Sequence, residues 1–112
     1  MDCLFCKIAK HEIPAQIQYE DDNFIAFDDI NPKAKTHILL IPKKHIPSVS
    51  ALDNSDVGLV SELILKARDI AKEKGIDKTG YRLVLNSGAD SGQEVDHIHL
   101  HILGGNTLGP IA

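Results

Sequence analysis

The sequence predicts an α+β domain in which about five strands and one long helix form a pair of layers. Two observations carry this. From about Asn54 to Lys74, Val57, Val60, Leu63, Ile64, Ala67, Ile70 and Ala71 recur at steps of three and four, the signature of a helix with one apolar stripe. Around that segment lie short apolar runs of strand length, each bounded by turn-forming residues.

Each element follows in order. A short helix runs from Cys3 to about His11, with Asp2 as its cap and Ile13-Pro14 as its end. Ile17–Glu20 and Phe24–Phe27 read as strands that turn through Asp21-Asp22-Asn23. A polar loop from Asp28 to Lys35 surrounds Asn31-Pro32. His37–Ile41 is a nearly continuous apolar run suited to a central strand, and Pro42 stops it. Gly75 fits the position just past the long helix. Tyr81–Leu85 and His97–Leu103 are two further strands, joined by the glycine-bearing loop Asn86–Asp96. No repeat, low-complexity tract or linker interrupts the chain, so its 112 residues read as one domain over 1–112.

Composition narrows the class. Hydrophobic residues make up 43% and charged residues 25%, as in ordinary globular proteins. Aromatic residues reach only 4% and tryptophan is absent, so Ile, Leu, Val and Ala must build the core. A domain of this size buries about two-thirds of its unfolded surface, and a metal or a second subunit would help it. The net charge of −4 argues against broad nucleic-acid binding, which needs Lys and Arg gathered on one face. It leaves room for one small anion held by local N–H donors. The opening Met1-Asp2-Cys3-Leu4-Phe5-Cys6 is too short and polar for a signal peptide. No apolar run approaches the ~20 residues of a membrane helix. Two cysteines this close cannot form a disulfide framework, and the expectation is a cytoplasmic protein with reduced thiols.

The densest chemical signal is His97-Ile98-His99-Leu100-His101-Ile102-Leu103. On a strand, alternation puts the three imidazoles on one face and the aliphatic residues on the other. One metal held by all three is strained, because strand rise separates His97 and His101 by roughly 13 Å, whereas zinc bonds are ~2.1 Å long. A division of labour fits better. A neutral imidazole is available near neutral pH as a nucleophile toward phosphorus. His99, flanked on its own face, is the natural attacker, and His101 can donate to a phosphate oxygen. The preceding loop supports an anion site. Gly88 and Gly92 let backbone N–H groups come close, while Asn86 and Gln93 add side-chain donors. It lacks the Lys-Ser/Thr ending of a P-loop, and a strand follows it instead of a helix.

Cys3-x-x-Cys6 has three readings: a zinc half-site completed by His45 and His97, a pair of inert thiols, or a redox pair. His11, Lys43 and Lys44 read most simply as solvated surface.

His97-Ile-His-Leu-His-Ile-Leu103 followed by Gly104-Gly105 resembles the histidine triad family. The likeness extends in order through Phe24–Pro32, Thr36-His37, Ile41–His45 and Asn86–Gln93, and within the family it is nearest the nucleoside phosphoramidase branch. The resemblance implies a HIT-like fold: a five-stranded antiparallel sheet, one long helix, a short N-terminal helix, and a sheet continued across a homodimer. It further implies hydrolysis of purine nucleoside phosphoramidates through a nucleotidyl-histidine intermediate, with no organic cofactor. By the same resemblance His99 is the nucleophile. His101 and His37 serve the phosphate and leaving group, and Asn86 touches the phosphate. Asp29 binds the ribose hydroxyls with Ile30 beside it. Phe5, Ile8 and Phe27 line the base slot, and backbone N–H groups near Gly92 and Gln93 face the phosphate. Cys3, Cys6, His45 and His97 match a zinc set found in some members.

Two places depart from the pattern. Glu94 stands where many relatives carry Ser or Thr against the leaving group; its carboxylate would relay a proton to a departing amine or repel the phosphate. After Gly104-Gly105 comes Asn106 and a short tail, Leu108–Ala112, in place of an arginine and a tryptophan-bearing extension. Three other functions stay open at this level: a dinucleoside polyphosphate hydrolase, a nucleotide-binding regulatory module, and a zinc hydrolase that uses the triad as ligands.

Overall fold

The computed structural model describes residues 3–112. One five-stranded sheet carries a helix on each face. The short helix α1 spans Leu4–Ala9, and strands β1 (Ile17–Glu20), β2 (Phe24–Asp28) and β3 (Thr36–Pro42) follow. Two 3₁₀ turns, Val49–Ala51 and Asn54–Asp56, lead into the long helix α2 (Val57–Glu73). Strand β4 (Tyr81–Leu85), a 3₁₀ turn at Ala89–Ser91 and strand β5 (Leu100–Gly104) complete the chain. The spatial order is β1-β2-β3-β5-β4, every neighbouring pair antiparallel. Among the described residues no helix is long and apolar enough to cross a membrane.

Local chemistry explains the boundaries. The β1–β2 turn closes because one Asp21 carboxylate oxygen accepts from the N–H groups of Asn23 and Phe24, both at 2.8 Å. Ahead of α2, Asp53 accepts from Ser55 N–H and Asp56 accepts from Asp53 N–H, a reciprocal cap. That cap forms a 3₁₀ turn over Asn54–Asp56, so the α-helix begins at Val57, the first residue of its apolar pattern, and not at the expected Asn54. Gly104 sits tightly against the chain after α2: a Cβ there would lie 3.0 Å from Ile76 Cδ1 and 3.1 Å from Ile76 Cβ.

Two boundaries differ from the sequence reading. Helix α1 is shorter than Cys3 to His11: Cys3 is itself the cap, its Sγ accepting Cys6 N–H, and His11 turns into the left-handed region at φ 61°. Asp2, expected as the cap, lies outside the described residues. The histidine segment is the second correction. Strand β5 starts at Leu100, not His97. Residues 97 and 98 bond elsewhere, His97 N–H to Val95 O at 2.9 Å and Ile98 N–H to Ile46 O at 2.7 Å, which takes them off the ladder.

The sheet divides its side chains by strand alternation. Phe24 and Ala26 of β2, Ile38 and Leu40 of β3, and Leu100 and Ile102 of β5 pack on Leu63, Ala67, Ile70 and Ala71 of α2. Ile25, Phe27, Leu39 and Ile41 face the other way, onto Phe5, Ile8 and Ala9 of α1. Val57 and Ile64, expected in the buried stripe, are exposed at 66% and 40%. They flank the stripe that meets the sheet.

Candidate active site

The α1 face opens into a cleft of about 1260 Å³. Phe5, Ile8 and Phe27 line it, with Asp29 and Ile30 at one side and Asn86, Gly92 and Glu94 at another. His37, His99 and His101 lie within it. Residues singled out from sequence thus converge on one space from α1, the end of β2, β3, the 86–96 loop and β5. The geometry adds Leu39, Lys33, Arg82, Leu103 and the tail residues Leu108–Ile111 to the lining. Arg82 was legible in principle: Tyr81, Leu83 and Leu85 pack toward α2, so strand alternation sends Arg82 and Val84 to the cleft. Its guanidinium donates to Gly109 O at 2.9 Å, laying the tail along the site.

The backbone assigns each imidazole its tautomer, because a carbonyl only accepts and an N–H only donates. His99 Nδ1 lies 2.8 Å from His97 O, so it carries the hydrogen and leaves the Nε2 lone pair free. His37 Nδ1 accepts from Lys33 N–H at 3.0 Å, which puts the hydrogen of neutral His37 on Nε2. That Nε2 is 2.9 Å from His101 Nδ1 and donates to it. The hydrogen of neutral His101 is therefore on Nε2. This is the one buried side-chain polar atom among the described residues that has no partner. A buried donor left unmade costs about 1–3 kcal/mol, which a ligand oxygen would recover.

Burial favours the neutral form of His101 and of His37. Burial, helped by neighbouring His99 and His37 and opposed by Asp29, pushes His101 down to about 4. Burial also lowers His37; Lys33 adds to this and Asp29 opposes it. The rings of His99 and His101 stand 5.0 Å apart, and Phe5 meets His99 edge-on at 5.1 Å. A nucleophilic lone pair and a neutral donor thus share one wall.

The 86–94 loop differs in detail from its expected role. Gly88 and Gly92 do adopt positive φ, 87° and 89°. The Gln93 amide, however, is spent within the fold: Oε1 accepts from Gly88 N–H at 2.8 Å, and Nε2 donates to Pro47 O and Val95 O. The N–H groups of Gly92 and Gln93 donate to Ala89 O and Gly88 O. Gln93 therefore braces the loop instead of offering a side-chain donor to an anion, since a tight turn consumes its own polar groups.

On the other side of Phe5, four donors meet. His97 Nδ1 lies 3.4 Å from Cys3 Sγ, 3.6 Å from Cys6 Sγ and 3.2 Å from His45 Nδ1, and Cys6 Sγ is 3.3 Å from His45 Nδ1. All four lie within 4.8 Å of one another. A zinc tetrahedron with bonds of ~2.3 Å to sulfur and ~2.05 Å to nitrogen has edges of about 3.3–3.8 Å, so the donors fit that ion. His97 Nε2 donates to Pro42 O at 2.8 Å, which turns Nδ1 toward the thiols. Burial and the neighbouring Cys3 raise the Cys6 thiol, the reverse of an activated redox cysteine. His97 is thus turned away from His99 and His101, which argues against one metal across all three.

Known proteins resemble this chain in sequence and fold. Residues 2–111 match the family model described as scavenger mRNA decapping enzyme C-term binding. An uncharacterized HIT-like protein of Synechocystis is 53% identical over 93% of this chain and 90% of its own. A purine nucleoside phosphoramidase of Escherichia coli is 46% identical over 98% of this chain and 92% of its own. Among solved structures, a histidine triad protein from Clostridium difficile has a TM-score of 0.96 at 49% identity, covering 100% of this chain and 97% of that one. A HIT family hydrolase from Legionella pneumophila reaches 0.93 at 49% identity, covering 95% of each chain. With the fold, the histidine wall and full-length relatives in agreement, the chain belongs to the histidine triad family.

Proposed function

We propose that this chain, as one domain over 1–112, hydrolyses purine nucleoside phosphoramidates through a covalent nucleotidyl-His99 intermediate. The observation that carries the reading is the pair of fixed tautomers: a free lone pair on His99 Nε2 beside a partnerless N–H on His101 Nε2. The name of the E. coli relative supports the substrate class. In the first step the His99 lone pair forms an N–P bond at the α-phosphorus. The P–N bond to the amine breaks, and the amine leaves with a proton taken from solvent through the exposed Glu94 carboxyl. In the second step water adds to phosphorus, the N–P bond to His99 breaks, and the nucleoside monophosphate departs. His101 Nε2–H steadies a phosphate oxygen in both steps. Phe5, Ile8 and Phe27 hold the base, Asp29 takes the ribose hydroxyls beside Ile30, and Asn86 contacts the phosphate. His37 orients His101, and exposed Glu94 meets the departing amine.

Cys3, Cys6, His45 and His97 would hold a structural zinc ion, whose chemistry is to tie α1 to the segments before and after Pro47. Thiolate ligands require a reducing compartment, which favours the cytoplasm. A homodimer is supported by the outer position of β4 and by exposed Val57, Ile64 and Leu65 on α2. The test is to mix the protein with an adenosine phosphoramidate, quench early and locate one added nucleotidyl mass. Its presence on His99 is the expected result, and turnover with no adduct on any histidine overturns the mechanism. Parallel assays with a dinucleoside polyphosphate separate the two substrate classes.

A further inference from the structure

The four candidate zinc ligands are interleaved in the chain with the residues that hold the His99 ring. Cys3 and Cys6 bracket Phe5, whose ring meets His99 edge-on at 5.1 Å. His45 precedes Ile46, whose carbonyl accepts from Ile98 N–H at 2.7 Å. That N–H belongs to the 97–98 peptide, which is trans, so its N–H and C=O point in opposite directions. On the far side the His97 C=O accepts from His99 Nδ1–H at 2.8 Å. One flat peptide unit therefore links the Ile46 carbonyl to the His99 ring, and a tilt at one end is carried to the other. Neither Ile46 nor Ile98 belongs to a strand, so no ladder fixes that tilt. The rings of His45 and His97, each one residue before a partner in the Ile98–Ile46 bond, bring their Nδ1 atoms to 3.2 Å.

We propose that His97 is a positioning residue for His99: an ion held by Cys3, Cys6, His45 and His97 fixes the direction of the His97 carbonyl and so aims the His99 Nε2 lone pair. The inference rests on the readings above of a zinc site and of His99 as nucleophile. Tying the His45 and His97 rings together clamps the 45–46 and 97–98 segments on either side of the bond between them. Tying both thiols to the same point holds α1, and Phe5 with it, against the His99 ring. An imidazole turns about its Cβ–Cγ bond. The bond at Nδ1 and the Phe5 contact oppose that turn, so Nε2 keeps one direction. Attack on phosphorus depends steeply on such alignment. What is bound behind His97 thus decides how well His99 is aimed.

The test compares the whole protein loaded with zinc and stripped by a chelator, well below the unfolding temperature of either form. The first readout is solvent exchange of the imidazole N–H groups by ¹⁵N NMR, which local opening governs and global unfolding does not. Zinc should slow exchange of His99 Nδ1–H about tenfold, the scale of one hydrogen bond. It should leave His37 Nε2–H, bonded to His101, unchanged. In Cys6→Ser added zinc should alter neither. The second readout is single-turnover nucleotidylation of His99 by saturating adenosine phosphoramidate, which should fall about tenfold in the stripped protein. If zinc binds and raises Tm while His99 exchange and the saturated rate stay the same, the ion braces the fold alone; the proposal is overturned and the zinc site survives it. If no zinc binds, the site reading fails and takes this inference with it. Absence of any adduct on His99 in the loaded protein overturns it through the nucleophile instead. Should the stripped protein or the variant not fold, cadmium in place of zinc, with its longer bonds to sulfur, should still alter His99 exchange, and an unchanged rate overturns the proposal.

Discussion

The two faces of the sheet are made of the same strands and answer to opposite requirements. Toward α2, Phe24, Ala26, Ile38, Leu40, Leu100 and Ile102 meet an aliphatic stripe. Toward α1, the same strands present Phe27, His37, Leu39 and His101 to a cleft. Buried His37, His97 and His99 belong to this second side. The first face is held by apolar burial, which is non-directional and proportional to area. The second is held by directional bonds, each ring tied to a carbonyl or an N–H. One face therefore sets stability and the other sets chemistry, and substitutions should separate the two.

The largest effect should come from His99→Asn, which removes the proposed nucleophile. Turnover should drop by about 10⁴-fold or more while Tm hardly moves. Retained activity would mean that the cleft face does not carry the reaction. Next, Leu40→Ala on the buried face should cost about 2–5 kcal/mol in denaturant unfolding, with kcat per folded molecule preserved. A matching loss of kcat would dissolve the distinction between the faces. Zinc at about 100-fold above its Kd should add about 2.7 kcal/mol to stability, and Cys6→Ser should abolish that increment. Calorimetry with and without a chelator checks it, and equal stabilisation of the variant would reject the metal site.

The effect smallest in any single step is the pH dependence, spread over more than two pH units. His101 is held near 4 in the folded protein against 6.5 for the free group. Between those values the unfolded chain binds a proton that the folded one refuses, so stability rises with pH. It is full above about 6.5 and declines as pH falls toward 4, by up to about 1.4 kcal/mol per pH unit. His101→Gln should flatten this window in urea titrations. An unchanged slope would move the origin of the effect to His37 or His97, both also lowered by burial.

Much of this was readable from residue order. The α2 stripe was visible except at its flanks, where Val57 and Ile64 are apolar yet exposed because periodicity marks a face but not its width. Strands β1 and β4 fall where their patterns end, since Glu20 and Leu85 are followed at once by turn and loop residues. The start of β5 was misread. His97 to Leu103 alternates without interruption, and only the bond from Ile98 to Ile46 takes the first residues off the ladder. Gln93 was misjudged for a related reason, because its amide could not be known to reach Pro47.

Sequence by itself determined which side of β2, β3 and β5 their residues occupy, since alternation is a property of the extended backbone and needs no partner. It also supplied the proposed nucleophile, its proposed donor and the four candidate soft and nitrogen ligands as residue types. Tertiary structure alone decided how those groups work. Cys3 meets His97 across 94 positions of chain, and the tautomers of His37, His97 and His99 are chosen by main-chain groups of Lys33, Pro42 and His97. A backbone carbonyl is identical at every residue. Which imidazole it faces depends on the path of the folded chain, and no pattern of side chains records that.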